Sequence, residues 1–187
     1  MSSAEYLRRE EGSDLRHEGV DGVVLAMAGG SGAHACVKTN LTGLVHAALT
    51  GSPCRARDAD QRVRIVATGL ATYPDLSVCC GPRAPHPEDP HALTDPTLLA
   101  EVLSPATASD DRGEKFDHYQ QISSLRQDLL VDSERRHVDV YSRLADGRWA
   151  REGFGGGRVP LDSLGILLDV DALYVGWDDE RAIDGVG

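Results

Sequence analysis

At 187 residues, with 41% hydrophobic and 26% charged side chains, the chain has the make-up of a globular protein large enough to bury a core. Its formal net charge of −11 argues against a broad nucleic-acid surface, because phosphate recognition is led by clustered Lys and Arg. No charged-then-apolar leader opens the chain, and no apolar run nears the ~18 residues of a membrane span. The expectation is a cytoplasmic, single-domain protein over residues 1–187, its core at 14–175.

Taken in order, residues 1–12 read as a short helix from Ala4 to Glu11 that touches the domain through Tyr6 and Leu7. Leu15–Val20 and Val23–Ala28 read as a β-hairpin, since Asp21-Gly22 supplies the positive-φ positions of a two-residue turn. Gly29-Gly30-Ser31-Gly32 lacks the Lys-Ser/Thr of a phosphate loop and the spacing of a dinucleotide fingerprint, so it is a connection, with Ser31 placed to cap a helix. That helix runs from Ala33 to Ala48, where Val37, Leu41, Leu44, Val45, Ala48 and Leu49 form one apolar stripe. His34 and Lys38 lie one turn apart beside the stripe and read as solvated or hydrogen-bonded groups.

Short strands follow at Cys54–Asp58, Gln61–Ala67 and Leu76–Cys80. Residues 81–97 read as a loop, because their prolines remove ladder donors; His86, Glu88 and His91 there show no metal-site spacing. Leu98–Leu103 reads as a central strand. A helix from Asp110 to Ser123, capped by Thr107 or Ser109, turns Phe116, Tyr119 and Ile122 inward. Leu129–Val131 pairs with His137–Tyr141, Arg148–Phe154 adds a strand, Leu164–Tyr174 closes the fold, and the last ten residues fray. With aromatics at 5%, the core falls to Leu, Val, Ile and Ala. Cys36, Cys54, Cys79 and Cys80 have no metal-finger spacing and read as buried thiols of a reducing compartment. A local basic groove has two places to form: Arg55, Arg57, Arg62 and Arg64, and Arg135, Arg136 and His137.

The chemistry gathers between Tyr73 and Tyr119. Asp75 opens one apolar run and Glu101 interrupts another, and a carboxylate inside a strand needs a partner. Adjacent strands could bring the two acids together, and a hard divalent cation with its preference for oxygen ligands would relieve their repulsion. Such a cation orients water and stabilises charge on a phosphodiester. A lysine two residues past Glu101 would share its strand face, yet that position is Leu103; Lys115, about one turn into the next helix, is the nearest replacement. Asp111 precedes Lys115 by one turn, so a plain surface ion pair is the competing expectation. Tyr119, a turn further on, either lines the site or packs its ring in the core.

Several segments in fixed order carry a family resemblance: Arg16-His17-Glu18, Val20-Asp21-Gly22, Met27-Ala28-Gly29-Gly30-Ser31, His34-Ala35, Gly51-Ser52-Pro53-Cys54, Tyr73-Pro74-Asp75, Glu101-Val102-Leu103-Ser104-Pro105, Asp111-Arg112-Gly113-Glu114-Lys115 and Leu129-Leu130-Val131-Asp132. The set resembles the Uma-type putative restriction endonucleases of the PD-(D/E)XK nuclease superfamily. The resemblance implies an α/β fold, a restriction-endonuclease-like mixed sheet flanked by helices, with the hairpin and first helix as an N-terminal extension. It implies a Mg²⁺-dependent nuclease (Mn²⁺ substituting) that hydrolyses DNA as a homodimer. Asp75 and Glu101 match the metal-binding acids, Lys115 a catalytic lysine moved from strand to helix, and Glu18 an extra acid near the metal. Val23, Gly19 and Gln127-Asp128 depart from the family pattern, and the last leaves no Tyr at 128. Two alternatives stand beside this reading: a non-catalytic DNA-associated or protein-interaction module of the same fold, and a metal-dependent hydrolase of another substrate.

Overall fold

Every residue of Leu98–Leu103 is buried, and the molecule is built outward from that strand. The computed structural model describes residues 5–6, 8, 10, 13, 17–20, 23–26, 30–82, 85–86, 88–105 and 108–185. The strands are β1 His17–Val20, β2 Val23–Ala26, β3 Cys54–Asp58, β4 Val63–Arg64, β5 Ala71–Thr72, β6 Leu76–Cys80, β7 Pro85–His86, β8 Asp89–Leu93, β9 Leu98–Leu103, β10 Gln127–Asp132, β11 Val138–Arg143, β12 Trp149–Phe154, β13 Arg158–Leu161 and β14 Ile166–Asp169. The helices are α1 Gly32–Ala48, α2 Ala108–Arg112, α3 Glu114–Tyr119, α4 Val170–Leu173 and α5 Trp177–Ile183.

The main sheet has the order β12-β11-β10-β9-β6-β3. β9 and β10 run parallel and the other pairs antiparallel, so the sheet is mixed. A second sheet, β2-β1-β5-β4-β8-β7, carries the hairpin, and β13 pairs with β14 alone. Strand alternation sends Leu98, Ala100 and Val102 to one face, where they pack with Val37, Leu41 and Val45 of α1 and with Leu129 and Val131. It sends Leu99 to the other face, into a cluster with Val63, Ile65, Leu93, Tyr119 and Leu125. Both clusters are dominated by aliphatic side chains, as the scarcity of aromatics requires.

Helix α1 starts where expected, with the Ser31 hydroxyl accepting from His34 N–H at 3.2 Å. The hairpin strands are present with Val20 opposite Val23, while the Asp21-Gly22 turn lies outside the described residues, as do Leu15, Thr107, Ala4 and Glu11. Four expectations need correction. Gln61–Ala67 shortens to β4 because a turn at Thr68-Gly69 follows directly, bonded back to Ile65 O. Part of the proline-rich stretch is strand: β8 sits between β4 and β7, and the prolines are tolerated close to an edge. The long helix of 110–123 is two short ones, interrupted at Gly113, the residue type that favours helix least after proline. The C-terminal tail is anchored rather than frayed. Trp177 is buried with its indole N–H on Ser133 O at 2.6 Å, and Asp184 accepts from Gly32 and Ala33 N–H at 3.2 and 3.0 Å, capping α1 from across the molecule.

The cysteines are corrected too. Cys54 and Cys80 stand directly opposite each other on β3 and β6 and form a disulfide across a separation of 26 residues; Cys36 and Cys79 stay outside it as thiols. Closing a loop of that size removes conformational freedom from the unfolded chain. Reduction is therefore expected to lower unfolding free energy by about 2–4 kcal/mol, read as a drop in urea midpoint with dithiothreitol. An unchanged midpoint would mean that the bond does not form in solution.

Candidate active site

Asp75 stands immediately before β6 and Glu101 within β9, so strand pairing brings the two acids to neighbouring places. Their environments differ. The Val102 N–H donates to Asp75 Oδ2 at 2.8 Å, and the Lys38 ammonium pairs with Oδ1 at 2.8 Å. His34 Nε2 lies 3.6 Å from Oδ2 and 2.9 Å from the Val102 carbonyl, which can only accept, so that nitrogen carries the proton. Burial by itself would push the Asp75 pKa up; His34, Lys38 and the Val102 N–H outweigh it and hold the carboxyl below its usual range. A Cβ at Gly30 would collide with the His34 ring, which gives the glycine connection before α1 a steric purpose.

Glu101 contacts side chains of α3. The Tyr119 hydroxyl donates to its Oε1 at 2.6 Å, and Lys115 Nζ lies 3.7 Å from the same oxygen. That ammonium is closer to Glu18 Oε1, at 2.8 Å, and to Asp111 Oδ1, at 3.1 Å. Glu18 is fixed in turn by the Thr72 hydroxyl at 2.5 Å. Burial is the main force raising the Glu101 pKa well above normal; Lys115 pulls it down, and the charges of Asp111 and Asp75 push it back up. The surrounding Glu101, Glu18 and Asp111 hold the Lys115 pKa above its ordinary value, against its own burial, so it stays a cation. Burial, with the Glu101 charge next, keeps the Tyr119 hydroxyl protonated and able to donate.

Lys115 thus fits neither expectation cleanly. It pairs with Asp111 at helical spacing, but both are buried, and its shortest contact is to Glu18 rather than Glu101. The structure gathers Glu18, Glu101, Lys115 and Tyr119 into one network and sets Asp75 beside it. It adds three residues that the sequence reading had kept out of the site: His34 and Lys38, read as solvated or hydrogen-bonded groups, and Asp111, read as a surface ion-pair partner. Their spacing put His34 and Lys38 on one helix face, but only the packing of α1 turns that face toward Asp75.

Behind the network is Asp128, which aligns with Leu99 of β9 and is wholly buried, its carboxylate oxygens without a close hydrogen-bond partner among the described residues. Burial, then Asp111, pushes its pKa well up, which favours the neutral acid. A carboxyl with a raised folded pKa binds its proton more tightly folded than unfolded, so it costs stability as pH rises through that folded value. Asp128→Asn, which has no charge to bury, is expected to flatten that alkaline decline. Urea unfolding at pH 6 and pH 9 checks it, and parallel pH profiles for the two proteins would contradict it.

The two basic clusters are largely consumed. Arg62 is bound by Asp89 at 2.6 and 2.8 Å and by the Tyr73 hydroxyl, and Arg64 lies 3.5 Å from Glu88. Arg135 pairs with Asp132, Arg136 with Asp171 and Asp178, and His137 with Asp139. Arg55 and Arg57 of β3 have no carboxylate partner among the described residues.

The family described as "Putative restriction endonuclease" (Uma2) matches residues 3–171. The chain belongs to that family. Among curated proteins it is 37% identical over 177 residues to "Uncharacterized protein slr1290" of Synechocystis sp., covering 94% of this chain and 92% of that protein. It is 31% identical over 149 residues to "Uncharacterized protein sll1609" of the same organism, covering 80% and 84%. Among solved structures it resembles a putative nuclease of the DUF820 group from Anabaena variabilis, with TM-score 0.75 at 18% identity over 95% of this chain and 99% of that one. The likeness is one of fold, and the fold is the restriction-endonuclease-like α/β core that the sequence implied.

The oxygen donors present suit the hard cation that this family implies. Among the described residues no three His, Cys, Asp or Glu side chains form a cage by themselves. Mg²⁺ does not need one: it is usually held by one or two carboxylates, with water and substrate phosphate completing its shell. Asp75 and Glu101 would be the two carboxylates to hold such an ion, with the acid surplus around Lys115 adding negative field.

Proposed function

We propose that the chain is a Mg²⁺- or Mn²⁺-dependent nuclease that hydrolyses DNA phosphodiester bonds, with Asp75 and Glu101 as the metal carboxylates. The observation that carries this reading is the buried acid surplus: Glu18, Glu101 and Asp111 surround the single ammonium of Lys115, with Asp75 alongside. Such a surplus is stable only with protons or cations to offset it. A bound divalent cation would supply Lewis acidity toward a phosphate oxygen and a more acidic water.

The chain's own groups do the rest. Val102 N–H and Lys38 fix the rotamer of Asp75, and Tyr119 fixes that of Glu101. Lys115, charged throughout, orients the attacking water or stabilises charge building on the phosphate. Glu101 ligates as the carboxylate, a form its raised pKa disfavours, so metal affinity is expected to rise with pH. A two-fold pair of chains acting on the two strands of a duplex completes the reading.

The formal charge of −11 and the paired arginines favour the second reading, a non-catalytic module of the same fold. A plasmid assay separates the two. With Mg²⁺ or Mn²⁺, supercoiled DNA is expected to be nicked or linearised, with activity lost in EDTA and reduced about a hundredfold or more in Glu101→Gln. Equal, metal-independent cleavage by the wild type and Glu101→Gln, or none by either, would reject the nuclease reading.

A further inference from the structure

We propose that β12 is the surface through which two copies of this chain join, edge to edge, about a two-fold axis at Ala150. β12 closes one side of the main sheet and, among the described residues, pairs only with β11. Its middle residues, Ala150 to Gly153, are exposed. The Arg148 carbonyl accepts from Leu144 N–H at 2.7 Å, which turns the polar backbone of the even-numbered residues toward β11. The N–H and C=O groups of Trp149, Arg151 and Gly153 therefore look outward, an open template for another strand.

The far edge of the same sheet is treated differently. On β3, Arg55 Nη1 folds over the carbonyls of Ser52 and Cys54 at 2.6 and 2.8 Å, and Arg57 Nη1 reaches that of Arg55 at 3.5 Å. On the β12 side the arginines turn away from the edge. Arg151 grips Asp139 at 2.9 and 3.1 Å, and Arg143 bonds the carbonyls of Gln120, Ile122 and Leu125.

Charge selects the register, and with it the occupant. A two-fold axis normal to the sheet keeps like faces together. An axis at Arg151 sets that arginine against its own copy, and an axis at Glu152 does the same to the glutamate; like charges directly opposite are destabilising. An axis at Ala150 sets Arg148, exposed and paired among the described residues only with Asp146 of its own turn, opposite the partner's Glu152, twice over, and Trp149 opposite the partner's Arg151, whose guanidinium stays on Asp139. It makes Trp149 and Arg151 the hydrogen-bonded pairs, as their outward backbone groups require, and leaves only small side chains at the axis. A phosphate backbone laid along this strand would meet Glu152 instead, so a second copy fits better than a nucleic acid.

One consequence rests on the nuclease reading. Glu101 lies in a cross-strand row with Leu130, Asp139 and Gly153, on one face of the sheet. Joining two copies through β12 puts both carboxylate clusters on the same side of one continuous sheet, positioned for a single duplex.

Light scattering on the full chain across a concentration series tests the interface. A dimer is expected, with Arg148→Glu and Glu152→Arg each weakening it about tenfold and the two together restoring it. Positions 148 and 152 stand about 13 Å apart along one strand, so restoration cannot arise within a chain. Ala150→Cys is expected to give a cross-linked dimer on oxidation, reversed by dithiothreitol. A monomer at every concentration overturns the proposal, as does a dimer that neither charge change weakens and Ala150→Cys does not cross-link. Plasmid nicking followed in parallel keeps the two readings apart, since a monomer that still nicks DNA defeats only the interface.

Discussion

Lys115→Ala is expected to destabilise the folded chain by about 3–5 kcal/mol at pH 7, because removing one partner of a buried ion pair leaves uncompensated charge behind. The ammonium is the shared cation of Glu18, Asp111 and Glu101, and its side chain is only 11% exposed. A surface pair at helical spacing would instead cost under ~1 kcal/mol. Without Lys115 the Glu101 pKa, which that lysine lowers, rises further. Acid then neutralises the orphaned carboxyls, so the deficit is expected to shrink between pH 7 and pH 4.5. The double substitution Lys115→Ala/Glu18→Gln, which also removes the nearest stranded charge, is expected to regain part of the loss. Urea unfolding of the three proteins at both pH values measures this, and a pH-independent deficit below ~1 kcal/mol would show that the network is screened by solvent.

Asp75→Asn is the second large effect. Asparagine keeps an acceptor for Val102 N–H, so the fold is expected to survive, while the charge facing Lys38 and His34 disappears. Metal-dependent nicking is expected to fall about a hundredfold or more. The stability change has a definite pH signature. A carboxyl whose folded pKa is depressed contributes stability above its unfolded value near ~3.9 and loses it as pH falls through the folded value. Asp75 is such a group, so the variant should trail the wild type at pH 7 and converge with it in strong acid. A gap that persists or widens in acid would place the effect in packing rather than charge.

The parts of this molecule legible in its sequence were those governed by local pattern. The α1 stripe, the Ser31 cap, the buried run Leu98–Leu103 and the β10–β11–β12 meander follow from periodicity and turn chemistry, and all are present. What local pattern could not show was long-range satisfaction. Asp184 looked like part of a frayed tail because its partners, the first amides of α1, lie about 150 residues away. Cys54 and Cys80 looked like independent thiols until β3 and β6 paired. Within the site, Asp75, Glu101 and Glu18 were legible as charges in apolar or motif settings. His34 and Lys38 were not, because only the packing of α1 against the strand ends turns a helix-surface histidine and lysine toward Asp75.

Calorimetric titration with Mn²⁺ at pH 7.5, on the wild type, Asp75→Asn and Glu101→Gln, bears most directly on the account. One divalent site per chain is expected in the wild type, weakening as the pH is lowered because the raised Glu101 pKa favours its protonated form, and lost in both variants. Binding of equal strength in all three proteins, or none in a wild type that still cleaves DNA, would contradict the assignment of Asp75 and Glu101 as the metal carboxylates.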